Sequence, residues 1–221
     1  MRRFFLIRHG MSLANTRNLS LKEPYIFDGD IPLTDIGEKQ ACETGLFLQS
    51  YCKLNNIDLN DAVLWHSPFF RTEQTKNGVN KNLGIEKVQM DPRLSEMSFG
   101  LFDQRSPEDW CEIDANIQTY LNSLHSSFRG KFYAKNPNGE SPFEVYNRIS
   151  SFVETVYRDR EANIFIVSHG ITLRTFIMRM LHKDLGWYFN EPNSENCSVR
   201  LIEGEDGSLE DKGYIFVPRT K

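Results

Sequence analysis

FFLIRHG, residues 4–10, opens on four apolar side chains and closes on the basic pair Arg8 and His9. Two further stretches have the same form: AVLWHSP at 62–68 and IFIVSHG at 164–170. Each apolar run is rich in β-branched or aromatic residues and lacks polar alternation, which is typical of a strand buried on both faces of a parallel sheet. The three stretches therefore predict three parallel strands, each followed by polar side chains at its carboxyl end.

Helical segments separate these strands and have recognisable starts. Thr34 is suited to cap a helix over about 35–52, and Ser67 followed by Pro68 is interpreted as the cap of the next helix. The pattern Ser-Pro-Phe-Glu at 141–144 is a capping box that predicts a helix to about residue 160. Further elements are predicted as a helix over about 172–182 and strands at 87–90, 198–202 and 214–217, the last two as a pair.

Strands that alternate with helices predict an α/β fold. We expect a single domain over residues 1–221, with a mainly parallel central sheet flanked by helices on both faces. Residues 99–138 fit this alternation poorly. They predict a helical insertion near the functional site, with a helix over about 106–124 and then a loop of basic and aromatic residues.

The composition limits the kinds of partner. The 221 residues are 39% hydrophobic and 25% charged, which is typical of a folded globular protein. The formal net charge of −4 is small, so nothing global indicates nucleic acid or an anionic membrane surface as a partner. An anionic ligand would have to be held by a local group of basic side chains.

The cysteines and the N-terminal residues indicate a compartment. Cys42, Cys52, Cys111 and Cys197 show neither zinc-site spacing nor the density of a disulfide framework. The first apolar run ends at Arg8, which is too early for a secretory signal or for a membrane span of about 20 residues. We expect a soluble cytoplasmic protein with free thiols.

The predicted strand ends bring chemically active side chains together. In open α/β sheets, ligands bind beyond the carboxyl ends of the strands, where Arg8, His9, Arg71 and His169 would meet. Guanidinium groups match phosphate oxygens, imidazoles can donate a hydrogen bond or attack, and helix N-termini attract anions. The sequence therefore predicts a phosphate site.

Six blocks in a fixed order connect this prediction to a known family. They are Arg8-His9-Gly10 with Asn15, Pro32-Leu33-Thr34 with Gly37, Ser67-Pro68 with Arg71 and Thr75, Arg93-Leu94 with Glu96 and Gly100, Gly139-Glu140-Ser141, and Ser168-His169-Gly170. Together they resemble the histidine phosphatase, or phosphoglycerate mutase-like, superfamily from residue 4 to about 203. Residues 132–148 are similar to the broad-specificity acid phosphatases of fungi and plants.

The resemblance implies a role for each matching residue. His9 would be the nucleophile that becomes phosphorylated, and Glu96 the proton donor. Arg8, Arg71 and His169 would hold the transferring phosphoryl group, while Asn15 and the backbone N–H groups of Gly10 and Gly170 would add hydrogen bonds to phosphate. No metal and no cofactor are expected. Glu96 lies among Ser95, Met97 and Ser98, where the family often has Arg, Gln and Asp, so its substrate contacts are expected to differ.

Several alternatives stay open at this point. The first expectation is hydrolysis of a small phosphorylated substrate, and the second is a phosphoglycerate mutase. A mutase needs a cap, which residues 101–138 could supply, and a second anion site, for which Arg105, Arg129, Lys131 and Lys135 are candidates. A fructose-2,6-bisphosphatase and a catalytically weak protein that binds a phosphorylated ligand are further possibilities. Glu140 is assigned either a structural or a ligand-orienting role, and the oligomeric state is not readable.

Overall fold

The computed structural model describes residues 1–16, 26–103, 116, 119, 123–124, 126–205 and 207–220. Its strands are β1 (Arg2–Arg8), β2 (Ala62–His66), β3 (Lys87–Met90), β4 (Asn163–Ser168), β5 (Val199–Glu205) and β6 (Ser208–Phe216). Its α-helices are α1 (Leu13–Thr16), α2 (Asp35–Leu54), α3 (Phe70–Leu83), α4 (Phe128–Tyr133), α5 (Pro142–Arg158), α6 (Gly170–Met180) and α7 (Leu185–Asn190). Short 3₁₀ turns lie at Asp28–Asp30, Pro92–Leu94 and Gly100–Phe102.

The six strands form one sheet in the order β3-β2-β4-β1-β5-β6. The first four are mutually parallel, while β5 runs antiparallel to β1 and β6 antiparallel to β5. This arrangement confirms the predicted mainly parallel α/β sheet and the pairing of the last two strands. The register places Arg8 opposite Ser168, so the residues that follow β1 and β4 leave the sheet side by side.

Two hydrophobic clusters explain why the strands are apolar without alternation. Phe4 and Leu6 face one way, into a cluster that includes apolar residues of α5 and α6. Phe5 and Ile7 face the other way, into a cluster with residues of α2 and α3. Both faces of β1 are therefore buried, as the predicted flanking of the sheet by helices requires.

The cap predicted at Ser67 is wrong. Helix α3 begins at Phe70, and its N-cap residue Phe69 makes no side-chain capping bond. The hydroxyl of Ser67 accepts a hydrogen bond from the Phe69 N–H at 3.3 Å and lies 2.9 Å from Nε2 of His169. Because these contacts occupy the hydroxyl, the Ser-Pro pair forms a turn before the helix instead of its first residues.

Part of the insertion prediction is also wrong. Residues 128–133 form α4, where a loop was expected; Ser127 caps this helix by accepting from the Gly130 N–H at 3.0 Å, and Phe132 is buried. Most of the helix predicted over 106–124 lies outside the described residues. Helix α7 was not predicted, although Asp184 caps it by accepting from the Trp187 N–H. Within the described ranges, no helix combines the length and apolar character needed to cross a membrane.

Candidate active site

Two histidines meet where β1 and β4 end. His9 and His169 are both buried, and their ring centroids are 5.2 Å apart at an interplanar angle of 60°. Their proximity follows from the pairing of Arg8 with Ser168, because each histidine is the next residue along its strand. The structure therefore brings together the two histidines that the sequence predicted to share one crevice.

His9 has a defined tautomer. Its Nδ1 lies 2.8 Å from the carbonyl oxygen of Gly10, which can only accept, so Nδ1 carries the proton. The lone pair of a neutral ring is then on Nε2. Burial lowers the pKa of His9 well below its usual value, and the positive charges of Arg71 and Arg8 lower it further. The imidazole is therefore neutral at pH 7 and able to act as a nucleophile.

His169 presents one unpaired nitrogen. Its Nε2 lies 2.9 Å from the hydroxyl of Ser67, while Nδ1 is buried without a hydrogen-bond partner in the described part of the chain. Burial, followed by the charges of Arg71 and His9, lowers the pKa of His169 well below its usual value. A buried polar atom without a partner is costly, so Nδ1 is available to a ligand.

Arg8 is held by the backbone on one side of the histidines. Its Nη1 donates to the carbonyl oxygen of Ser194, and its Nε is buried without a partner among the described residues. An ideal Cβ on Gly170 would lie 3.9 Å from this Nε, so the start of α6 is adjacent to the Arg8 guanidinium. Burial lowers the pKa of Arg8.

Arg71 lies on the first turn of α3 and is 4% exposed. Its Nη1 donates to the carbonyl oxygen of Asp28 at 2.6 Å, and its Nη2 to Oδ2 of the same residue at 3.0 Å. The guanidinium carbon lies 4.8 Å from the centroid of the Phe69 ring, which in turn lies 5.0 Å from His169. Arg8, His9, Arg71 and His169 are called the clamp below.

Gly10 and Asn15 both have hydrogen-bond partners within the chain. The N–H of Gly10 donates to Oγ1 of Thr75 at 3.0 Å in this structure, and its predicted contact with phosphate stays a prediction. Oδ1 of Asn15 accepts from the N–H and the hydroxyl of Ser12 at 3.0 and 3.1 Å. The amide nitrogen Nδ2 of Asn15 is then the group that remains to reach an anion.

Glu96 is anchored on the N-terminus of α6. Its Oε1 accepts from the N–H groups of Met97 at 3.0 Å and Thr172 at 3.2 Å, and lies 3.1 Å from the Thr172 hydroxyl, which donates to the carbonyl oxygen of Ser95 at 2.6 Å. Its Oε2 accepts from the N–H of Ile171 at 3.2 Å. Two of the free N–H groups that begin α6 are thus taken by this carboxylate, while the N–H of Gly170, the first residue of the helix, has no acceptor in the part of the chain that the structure describes.

Glu140 has the contacts of a structural residue. Its carboxylate binds the Arg148 guanidinium through two hydrogen bonds of 2.9 and 3.1 Å and accepts from the Ser98 N–H at 3.0 Å. These contacts connect the start of α5 to the loop that carries Glu96. Of the two roles left open for Glu140, the structural one has direct support.

Sequence reasoning missed two neighbours of the clamp. Asp28 binds Arg71, and Asp103 is influenced by the charge of Asp28, but both lie in stretches without a recognisable motif. Phe69 was interpreted as core or pocket wall and lies against both Arg71 and His169. No sequence signal connects residues 28, 69 and 103, because only the folded sheet brings their loops together.

A cavity of about 300 Å³ opens beside these groups. Phe69, Asp28 and Glu96 line it, so it borders both the clamp and the candidate acid. An α/β sheet that places two histidines and two guanidinium groups at its strand ends, next to a cavity, defines a class of protein suited to bind a phosphoryl group and its organic substituent.

Residues 4–213 match the family model described as histidine phosphatase superfamily, branch 1, and the chain belongs to this superfamily. It is 29% identical to the phosphoglycerate mutase-like protein AT74 of Arabidopsis thaliana, over 94% of this chain and 67% of the relative. It is also 29% identical to a putative phosphoserine phosphatase 2 of Hydrogenobacter thermophilus, over 95% of this chain and 94% of the relative. The broad-range acid phosphatase DET1 of Saccharomyces cerevisiae is 31% identical over 53% of this chain and 34% of the relative. These similarities confirm the resemblance to the branch of plant and fungal proteins.

Solved structures show the same fold. A putative alpha-ribazole-5′-P phosphatase from Escherichia coli superposes with a TM-score of 0.76 and 22% identity, and the match covers 96% of this chain and 95% of that one. At this identity the comparison establishes the fold alone. It confirms the single-domain α/β architecture that the sequence predicted.

Proposed function

We propose that this chain is a phosphomonoester hydrolase that works without a metal, through a covalent phosphohistidine on His9. One observation carries the proposal: a buried, neutral imidazole holds its proton on Nδ1 and keeps the Nε2 lone pair free, next to two guanidinium groups. The family and its relatives with phosphatase names support the coarser statement that the chain is a hydrolase. The proposed substrate is a small phosphorylated molecule.

The first step transfers the phosphoryl group to the enzyme. Nε2 of His9 attacks phosphorus, the P–N bond forms, and the bond from phosphorus to the ester oxygen breaks. The leaving alkoxide takes a proton from the Glu96 carboxyl group. We assign that proton to Oε2, because Oε2 accepts one backbone hydrogen bond, from Ile171, while Oε1 accepts two, from Met97 and Thr172. General acid catalysis of this kind contributes roughly 10²–10⁴ in rate.

The second step regenerates the enzyme. The Glu96 carboxylate takes a proton from water, the hydroxide oxygen attacks phosphorus, and the P–N bond breaks to release inorganic phosphate and neutral His9. In both steps negative charge on the equatorial oxygens is stabilised by Arg8, Arg71 and His169. The unpaired Nε of Arg8 and Nδ1 of His169 are the buried atoms that a phosphoryl group would engage.

The direct test compares wild type with His9→Ala on an aryl phosphate. We expect a loss of roughly 10³-fold or more in kcat, because removal of a nucleophile abolishes the covalent route. His182→Asn is the matched control, since His182 is an exposed histidine with φ of 51°, a conformation that asparagine accepts. Equal rates for wild type and His9→Ala would exclude the phosphohistidine mechanism. Acid-labile incorporation of phosphate in a rapid quench, absent from His9→Ala, would support it.

The mutase alternative is tested with 3-phosphoglycerate. A hydrolase releases inorganic phosphate, whereas efficient formation of 2-phosphoglycerate would overturn the proposal. The basic residues considered for a second anion site give the mutase no support where the structure describes them. Lys135 pairs with Glu144 at 2.7 Å, and Arg129 and Lys131 are exposed and do not line the cavity. Arg105 lies outside the described residues.

We also propose that the protein works in the cytoplasm. The three cysteines within the described ranges, Cys42, Cys52 and Cys197, are free thiols, which is the usual state in a reducing compartment. Burial raises the pKa of Cys52 to about 11, so this thiol is protonated and unreactive at neutral pH.

A further inference from the structure

The cavity beside the clamp has an acidic lining. Among its polar lining residues are four carboxylates and one guanidinium: Asp28, Glu96, Asp103, Glu140 and Arg148. The remaining walls include Phe27, Phe69 and Met97, which are apolar. An organic group attached to a phosphate in the clamp would extend towards these side chains, because the cavity is lined by Asp28, which binds the clamp residue Arg71, and by the proposed acid Glu96.

Existing ion pairs neutralise only part of this charge. The Arg148 guanidinium is bound by Glu140, so it is not available to a ligand without breaking that pair. Asp28 is bound by Arg71, at 3.0 Å. Asp103 accepts from the Phe99 N–H at 3.2 Å and forms no ion pair within 4.0 Å in the described part of the chain, although the charge of Arg71 acts on it from farther away. The cavity therefore contains no described cation that is free to receive an anionic group.

Phosphate binding makes the cavity more negative. Both Nη atoms of Arg71 donate to Asp28 in this structure. A phosphoryl group bound in the clamp would therefore compete with Asp28 for the Arg71 guanidinium. When a phosphoryl oxygen engages this guanidinium, its charge is divided between two partners. The Asp28 carboxylate is then less compensated at the moment when the organic part of the substrate occupies the cavity.

On the basis of the proposed function, we propose that Asp28 and Asp103 are specificity-determining residues: they restrict the enzyme to phosphomonoesters whose organic part carries no second anionic group near the ester. A carboxylate or a second phosphate at that distance would face like charges in a partly enclosed space, where repulsion is weakly screened. The favoured substrates have a neutral organic part, such as a polyol or an aryl group.

Asp103 is kept in the cavity at a cost. Burial, followed by the charge of Asp28, raises the pKa of Asp103 to about 6. Ionisation of this carboxyl group is therefore disfavoured relative to an exposed aspartate, although the Phe99 N–H and the charge of Arg71 offset part of the effect. The presence of a carboxylate at this unfavourable position fits a charge that acts on the substrate and not on the fold.

The test uses two substrates that differ in one group. Glycerol 3-phosphate carries a hydroxymethyl group where 3-phosphoglycerate carries a carboxylate, and the rest of the chain is alike. The measurement is kcat/KM for each at pH 7.5, expressed as a ratio. For wild type we expect a preference for glycerol 3-phosphate on the order of tenfold or more, from one close like-charge contact.

Two variants and one control locate the cause. Asp103→Asn keeps the acceptor for the Phe99 N–H and removes the charge, so we expect it to lower the ratio of the two kcat/KM values severalfold. Asp28→Asn should also lower this ratio, and it should reduce both rates because Arg71 is then oriented less firmly. Glu154→Gln removes the same charge from an exposed position on α5 and should leave the ratio unchanged. Arg174 lies in α6, and its guanidinium donates to the side chain of Asn193. It is the alternative residue that could determine selectivity between the two substrates. A wild-type preference for 3-phosphoglycerate that disappears in Arg174→Gln would overturn the proposal.

Binding separates this proposal from the proposed function. The affinities of glycerol 3-phosphate and 3-phosphoglycerate for the His9→Ala protein, measured by calorimetry, report the cavity without turnover. If wild type hydrolyses neither an aryl phosphate nor these two compounds but His9→Ala still binds glycerol 3-phosphate more tightly, the hydrolase proposal fails and the selectivity stands. Equal affinities, or an unchanged ratio in Asp103→Asn, would refute the selectivity whatever the activity.

Discussion

At the scale of single residues, the protonation of His9 connects the structure to pH dependence. Burial and the adjacent charges of Arg71 and Arg8 disfavour the imidazolium form. The nucleophilic form is therefore the one present over most of the physiological range. The Nδ1 contact with the Gly10 carbonyl adds orientation, because it keeps the reactive lone pair on Nε2.

This protonation leads to a prediction about the pH profile. A histidine that must be neutral loses activity only as the pH falls through its own pKa, and that pKa lies below 6.5 here. We expect the acid limb of kcat/KM, which reports the free enzyme, to fall below pH 6.5. The measurement is kcat/KM for an aryl phosphate between pH 4 and 8, corrected for the ionisation of the substrate. A limb centred above pH 6.5 would contradict the neutral, desolvated His9.

At the scale of elements, the N-terminus of α6 both holds Glu96 and lies next to Arg8. Its second and third N–H groups hold Glu96, and its first residue, Gly170, lies next to Arg8. A carboxylate at a helix N-terminus is favoured by the helix dipole. The same helix start therefore positions the proposed acid and faces the proposed phosphate site. Because backbone N–H groups of α6 hold the Glu96 carboxylate, its position does not depend on the side chains of Ser95, Met97 and Ser98, which differ from the residues common in the family.

The capping box of α5 gives a prediction at this scale. Ser141 accepts from the Glu144 N–H at 3.2 Å, and its own N–H donates to the Glu144 carboxylate at 2.8 Å. We expect Ser141→Ala to lower the free energy of unfolding by about 1 kcal/mol. Urea unfolding followed by circular dichroism measures this change. Ser50→Ala, an exposed serine inside α2, is the control and should change the free energy by less than about half as much.

The elements also show where local sequence was sufficient. The capping pattern at 141–144 predicted the start of α5, and Thr34 predicted the start of α2, because both signals act through hydrogen bonds within four residues. Ser67 failed as a cap because its hydroxyl is used by His169, about 100 residues further along the chain. A contact of that separation leaves no local pattern.

At the scale of the whole molecule, the sheet is the frame of the site. Phe165 lies in β4, between β2 and β1, and stacks on Phe5 with ring centroids 4.4 Å apart. It is fully buried, and β4 leads directly into His169. The packing of β4 and the position of the clamp are therefore mechanically coupled.

The corresponding prediction concerns global stability. We expect Phe165→Ala to lower the free energy of unfolding by about 3–5 kcal/mol, because it removes a large buried side chain and leaves a void. Chemical denaturation monitored by tryptophan fluorescence measures the loss. Val88→Ala, on the edge strand β3 and 36% exposed, should cost less than about 1 kcal/mol. Similar losses in the two variants would show that the central strands are not the stable part of the fold.

The sequence by itself determined the α/β class, five of the six strands to within two or three residues at each end, and the meeting of Arg8, His9, Arg71 and His169. These features depend on hydrophobic periodicity, on local caps and on the general rule that parallel strands end at one edge, all of which are written in short stretches. Only the tertiary structure decided that Asp28 binds Arg71, that Ser67 binds His169, that the Gly10 N–H is occupied by Thr75, and that Asp103 lines the cavity. The physical reason is that hydrogen bonds and charge repulsion act over a few ångströms in space, between loops whose separation along the chain carries no pattern.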